Sequence, residues 1–173
     1  MAAVDPDNLL LGLEDGSFSE QGGAAGLALA RRGRGAVVVD FNLDGMLDLL
    51  VVNREEPVSL FRSIGAGLDD EPDGLGNYLA IKLQNGPTNP DAIGAVVEIT
   101  TGSVVQTRTV HIGGGHASGQ VGWVHFGLGD AQVAQVRIRW PGIEWSQHYS
   151  ANANSFVSIG NGAGSVEYLS FSQ

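Results

Sequence analysis

The run Asp40-Phe41-Asn42-Leu43-Asp44-Gly45-Met46-Leu47-Asp48 packs three aspartates, an asparagine and a glycine into nine residues. With Asp40 as position 1, side-chain oxygens stand at positions 1, 3, 5 and 9, and the main-chain carbonyl of Met46 stands at 7. A hard divalent cation takes about six to eight oxygens, and carboxylates and carbonyls offered at this alternation let a loop wrap it. Asp40, Asn42, Asp44, Met46 and Asp48 are therefore the candidate ligands of a calcium ion. Gly45, at position 6, supplies the sharp turn, because glycine takes up a positive φ without a Cβ clash. An Asp- and Asn-rich hairpin loop without an ion would bring three carboxylates together for no electrostatic gain.

In helix-flanked calcium loops an acid at position 12 closes the coordination sphere, and here that position is Val51. The flanks, Ala36 to Val39 and Leu49 to Val52, are rich in Val and Leu. The site therefore reads as strand, loop, strand, holding a constitutive structural ion rather than driving the helix opening of a calcium sensor.

The other candidates offer less chemistry. His111, His116, His125 and His148 match no zinc spacing, and His116, beside Gly113-Gly114-Gly115, is the one best placed to contact a ligand. Gly115-His116-Ala117-Ser118-Gly119 has alanine where a nucleophile elbow needs serine, and the glycine-rich stretches lack the Lys-Ser/Thr of a phosphate loop. Among the tryptophans, Trp140 alternates with Val136 and Ile138 on an apolar face and reads as core. Trp145, between Glu144 and Ser146 after the Pro141-Gly142 turn, reads as exposed and as a possible sugar-stacking or protein-contact surface.

The elements that must position these residues read as all-β. Glycine at 26 of 173 residues, with abundant Val, Ile and Thr, suits turns and strands more than helix interiors. In residues 1–64, strand-like runs occur at Asn8 to Gly12, at Ala36 to Val39 resuming as Leu47 to Asn53, and at Pro57 to Arg62, while Gly22 to Arg32 reads as loop. Residues 65–76 combine Gly, Pro and acids without periodicity and read as an acidic linker.

From Asn77 a period of two sets in: Leu79, Ile81 and Leu83 alternate with Tyr78, Ala80 and Lys82. Further runs at Ala95 to Thr100, Val104 to Ile112, Gln120 to Phe126, Ser155 to Ile159 and Val166 to Phe171 predict an antiparallel β-sandwich over residues 77–173.

A net charge of −10 gives no electrostatic footprint for nucleic acid or anionic lipid. The absence of cysteine leaves the redox compartment unspecified. No apolar run approaches a membrane span, and the start lacks the basic region of a signal peptide.

Gly33-Arg34-Gly35-Ala36-Val37-Val38-Val39, the loop, and Leu49-Leu50-Val51-Val52-Asn53 together resemble an FG-GAP/VCBS repeat. Asn8 to Gly12 and Asp15-Gly16-Ser17-Phe18 match the opening of that repeat, so the likeness covers residues 8–62. It implies one calcium-bearing blade of an integrin-like adhesive propeller. Asn77-Tyr78-Leu79, Ile93-Gly94-Ala95, Gly113-Gly114-Gly115, His125-Phe126-Gly127-Leu128-Gly129 and Trp140-Pro141-Gly142 resemble the ASPIC/UnbV domain over residues 77–159. Pro90, Val96 and the pair Gly142-Ile143 depart from its usual residues. The resemblance implies no catalytic machinery and an extracellular, cell-surface or periplasmic location.

One blade cannot close a propeller, which needs about four to eight. Its strand edges and apolar faces must be covered by the sandwich, by another copy or by another protein. The expectation is a non-catalytic calcium-binding module for adhesion, recognition or assembly. A carbohydrate-binding module is the first alternative, with a glycan as partner, and a metal-dependent hydrolase the second.

Overall fold

The computed structural model describes residues 5–171 apart from 14, 66, 68–72, 74, 116 and 117. The fold is all-β, with no helix among the described residues. The first half contains β1 (Asp5–Pro6), β2 (Leu10–Gly12), β3 (Phe18–Glu20), β4 (Ala30–Arg31), β5 (Gly33–Val39), β6 (Asp48–Asn53) and β7 (Ser59–Phe61). β5, β6 and β7 form an antiparallel meander, while β2 pairs with β3 and β1 with β4 as two-stranded ribbons. The stretch expected as loop from Gly22 to Arg32 thus ends in the short strand β4.

The second half contains β8 (Asn77–Gln84), β9 (Val96–Thr101), β10 (Val104–Thr109), β11 (Gly114–Gly115), β12 (Ser118–Gly119), β13 (Val124–Gly129), β14 (Val133–Arg139), β15 (Tyr149–Asn152), β16 (Ser155–Gly160) and β17 (Glu167–Leu169). Two four-stranded sheets, ordered β10-β9-β14-β15 and β13-β8-β16-β17, pack face to face. Their inner faces follow from alternation: Leu79, Ile81 and Leu83 of β8 and Val157 and Ile159 of β16 meet Val97 and Ile99 of β9 and Val136 and Ile138 of β14. Phe126 and Trp140 fill the same core, as the pattern around Trp140 predicts. Burying each such side chain contributes roughly 1.5–3 kcal/mol, which makes this core the main source of stability.

Two expectations need correction. The sandwich is not wholly antiparallel, because β8 and β16 run parallel, Ser155 opposite Leu79 through Gly160 opposite Gln84. Parallel neighbours cannot be joined by a hairpin, so no local turn signal announces the pair. The strand expected from Gln120 begins only at Val124, and Gln120 joins its side chain to Val38 of β5.

The first half has almost no core of its own. Its one buried hydrophobic side chain among the described residues is Val51, and the continuous core runs only from Leu79 to Ile159. Leu10, Phe18, Val52, Val58 and Leu60 are all exposed. Of the expected linker over 65–76, the described part contains a bridge between Gly65 and Asp73.

Candidate functional site

The antiparallel pair β5 and β6 brings the candidate ligands together. Val39 and Asp48 form the last opposed pair, so residues 40–47 must turn the chain between them. Leu43 and Gly45 take positive φ, 61° and 92°, within that turn. The carboxylate of Asp40 accepts hydrogen bonds from the main-chain N–H groups of Asp44 at 3.1 Å and Gly45 at 2.8 Å. Asp44 accepts from Met46 N–H at 2.9 Å, and Asp48 accepts from Phe41 N–H at 3.2 Å and Ser63 N–H at 2.8 Å. Each aspartate thus ties one part of the loop to another.

The electrostatics are unfavourable for a bare carboxylate at Asp40. Asp48 is 1% exposed and Asp40 8%. Burial, with the neighbouring charge of Asp44 adding to it, raises the Asp40 pKa, while the N–H groups of Gly45, Leu43 and Asp44 oppose the rise. Arg62 lies 3.3 Å from Asp44 and supplies positive charge at the loop's edge.

Carboxylates, a carboxamide and a carbonyl suit a hard cation in type. The arrangement is nevertheless closed on its own donors. Asn42 points its amide nitrogen at Asp44, 2.7 Å away, where a cation needs the amide oxygen. Among the described residues no three acidic or imidazole side chains are gathered as the ligands of one ion. The donor chemistry therefore fits calcium, whereas convergence on a single point is absent.

The loop is seated on the outer face of the sheet β13-β8-β16-β17. His125 Nε2 lies 2.8 Å from the carbonyl oxygen of Gly45, and the Tyr78 ring stacks on His125 with centroids 5.8 Å apart. A Cβ at Gly45 would run into the Tyr78 ring, so close approach as well as positive φ demands glycine. Burial first, then the charges of Asp40 and Asp44, push the Tyr78 hydroxyl pKa upward. Phe156 meets Tyr78, Trp123 and Phe171 edge to face, which extends the platform into an aromatic cluster. Alternation alone assigns Tyr78 and Ala80 to a solvent face, yet Ala80 is buried, opposite His125 on one side and Phe156 on the other.

The remaining site candidates separate. His116 lies outside the described residues. Trp145 is half-buried rather than exposed, with the Arg137 guanidinium 4.5 Å from its ring centroid and Arg139 at 5.4 Å. Arg137 also donates to Glu98 at 2.6 Å, so the cation is held in place beside the ring. An aromatic face occupied in this way is not a free sugar-stacking platform.

The chain is 34% identical over 114 residues to cartilage acidic protein 1 of Homo sapiens and of Mus musculus, and 32% identical to that of Xenopus tropicalis. These matches cover 64% of this chain but only 16% of each relative, so the chain spans a small part of those proteins. The strand β8 precedes the region matched by a family model, although it is central to its sheet. Residues 85–166, most of the sandwich, match the family described as ASPIC and UnbV.

Proposed function

We propose that the chain is a non-catalytic calcium-binding module for adhesion, recognition or multi-chain assembly. Its first half would be a single FG-GAP/VCBS-type blade, and its ion would be held by Asp40, Asn42, Asp44, Asp48 and the Met46 carbonyl. The observation that carries this reading is the burial of Asp40 and Asp48 in one loop that also holds Asp44. A divalent ion would offset their mutual repulsion and their loss of water, so binding and folding would be linked. Because the loop is seated on Tyr78 and His125, the ion's stabilisation would reach the junction between the halves. The exposed apolar residues of the first half support a protein partner or self-association. The relatives are named for cartilage and for acidity, and this chain is itself acidic at −10, which supports an extracellular setting.

The test is a pair of thermal melts, in calcium and in excess chelator, with mass in solution measured by light scattering for both samples. A melting temperature well above the chelated value supports the structural ion, and a defined oligomer supports assembly. A melting temperature and mass both indifferent to calcium would overturn the reading.

A further inference from the structure

Between the face of β5 and β6 and the glycine-rich segment around β11 and β12 lies a cleft of about 920 Å³. In a chain of net charge −10, its lining holds Arg31, Arg32, Arg34, Arg108, His111 and His125, while Asp7 is its one acid among the described residues. Four of the nine Lys and Arg residues of the chain thus face one cavity. A cleft lined by one sign of charge between low-dielectric walls focuses the field and concentrates ligands of the opposite sign.

Not all of these cations are engaged alike. Arg31 lies 3.9 Å from Glu56 and Arg32 3.4 Å from Glu55. Arg34 and Arg108 form no ion pair among the described residues, and each donates to an adjacent main-chain carbonyl, Gly33 at 3.0 Å and Thr107 at 3.4 Å. Both are exposed on the cleft.

The wall between them is a strand edge. β5 pairs with β6 on one side only. On the other side the Gln120 carboxamide accepts from Val38 N–H at 3.2 Å and donates to Val38 C=O at 3.0 Å, occupying the place of a neighbouring strand's peptide group. Main-chain groups alternate in direction along a strand, so Ala36 shares the outward direction of Val38. On the sheet face that opens into the cleft, this edge strand carries the exposed side chains of Ala36 and Val38.

We propose that this cleft binds an acidic peptide in extended conformation, which pairs with β5 at Ala36, next to the stretch that Gln120 covers, while its carboxylates meet Arg34 and Arg108. The paired edge supplies main-chain hydrogen bonds, the arginines supply charge complementarity, and alternate apolar side chains of the peptide rest against Ala36 and Val38. A sulfated sugar would satisfy the arginines but has no use for a strand edge, which favours the peptide. The proposal rests on the recognition part of the function given above and not on the ion.

The probe is a short fluorescent peptide alternating valine and glutamate, titrated by anisotropy into the full chain in calcium. It should bind, weaken as salt rises, and bind far better than the valine and lysine counterpart. Arg34→Glu and Arg108→Glu, both exposed, should each weaken binding by about tenfold through loss of a charge-assisted contact. A peptide of the same sequence N-methylated at alternate amides should lose most of its affinity, with the protein unaltered. No binding by the parent peptide would overturn the proposal, as would indifference to either arginine reversal. Equal binding by the N-methylated peptide, with displacement by a short sulfated oligosaccharide, would overturn it in favour of a sugar site. Because the ion is judged by the melts in calcium and chelator and the cleft by this titration, the two can fail separately.

Discussion

Asp40 is held between opposing influences: burial and the charge of Asp44 disfavour its ionised form, while three main-chain N–H groups favour it. The net effect is a raised pKa, so ionising Asp40 costs the folded state more than the unfolded one. That penalty is fully present above the folded pKa and vanishes below the unfolded value. Asp40→Asn should therefore be nearly neutral in chelator, where relief of the penalty offsets one lost N–H acceptor. In calcium at a hundredfold excess over Kd, the wild type would gain about 2.7 kcal/mol, and the variant should forfeit this. Melts of both proteins in both buffers check this; an undiminished calcium shift in Asp40→Asn would remove Asp40 from the ligand set. Gly45 poses a steric question instead. Gly45→Ala should lose at least about 2 kcal/mol, because a left-handed residue acquires a Cβ and that Cβ meets Tyr78. Adding Tyr78→Ala should recover the steric part alone, so the pair should be strongly non-additive in denaturant melts.

At the scale of elements, Gln120 does for β5 what a further strand would do. Its two hydrogen bonds to Val38 join the segment before β13 to the first sheet and cover one stretch of an otherwise open edge. Gln120→Ala should cost about 1–2 kcal/mol for the pair. It should also raise self-association in sedimentation velocity, because a longer bare edge becomes available for pairing. A variant that is both as stable and as monodisperse as the parent would show that Gln120 rests on β5 without fastening it. None of this was legible in the sequence, where Gln120 reads as the start of a strand. Alternation is a statement about one strand and its two faces. It therefore placed Leu79, Ile81, Val136 and Ile138 inside correctly. It failed for Ala80, which is buried between its cross-strand neighbours His125 and Phe156, and for β16, whose parallel partner lies far away in sequence. The loop residues Asp40 to Asp48 were recognisable because their function depends on local spacing; their seat on Tyr78 and His125 is a long-range contact with no local signature.

At the scale of the whole molecule, stability and site are divided between the halves. The continuous core draws on residues from Leu79 to Ile159, whereas the first half buries Val51 and leaves Leu10, Phe18, Val52, Val58 and Leu60 exposed. A sheet that buries so little apolar area cannot meet its conformational entropy, which runs to about 1–2 kcal/mol per residue for the backbone alone. The second half should therefore fold without the first, but not the reverse. A fragment beginning at residue 77 should melt cooperatively and show dispersed amide resonances. One ending at residue 64 should remain unfolded or aggregate, even in calcium, because an ion stabilises a fold only in proportion to its binding and cannot replace the face supplied by Tyr78 and His125. Mixing the two fragments makes the dependence quantitative. If the sandwich is the template, its addition should order the first fragment, and calcium should strengthen the association. A first fragment that folds by itself in calcium would instead make the ion the organiser of that half and reduce the sandwich to a neighbour.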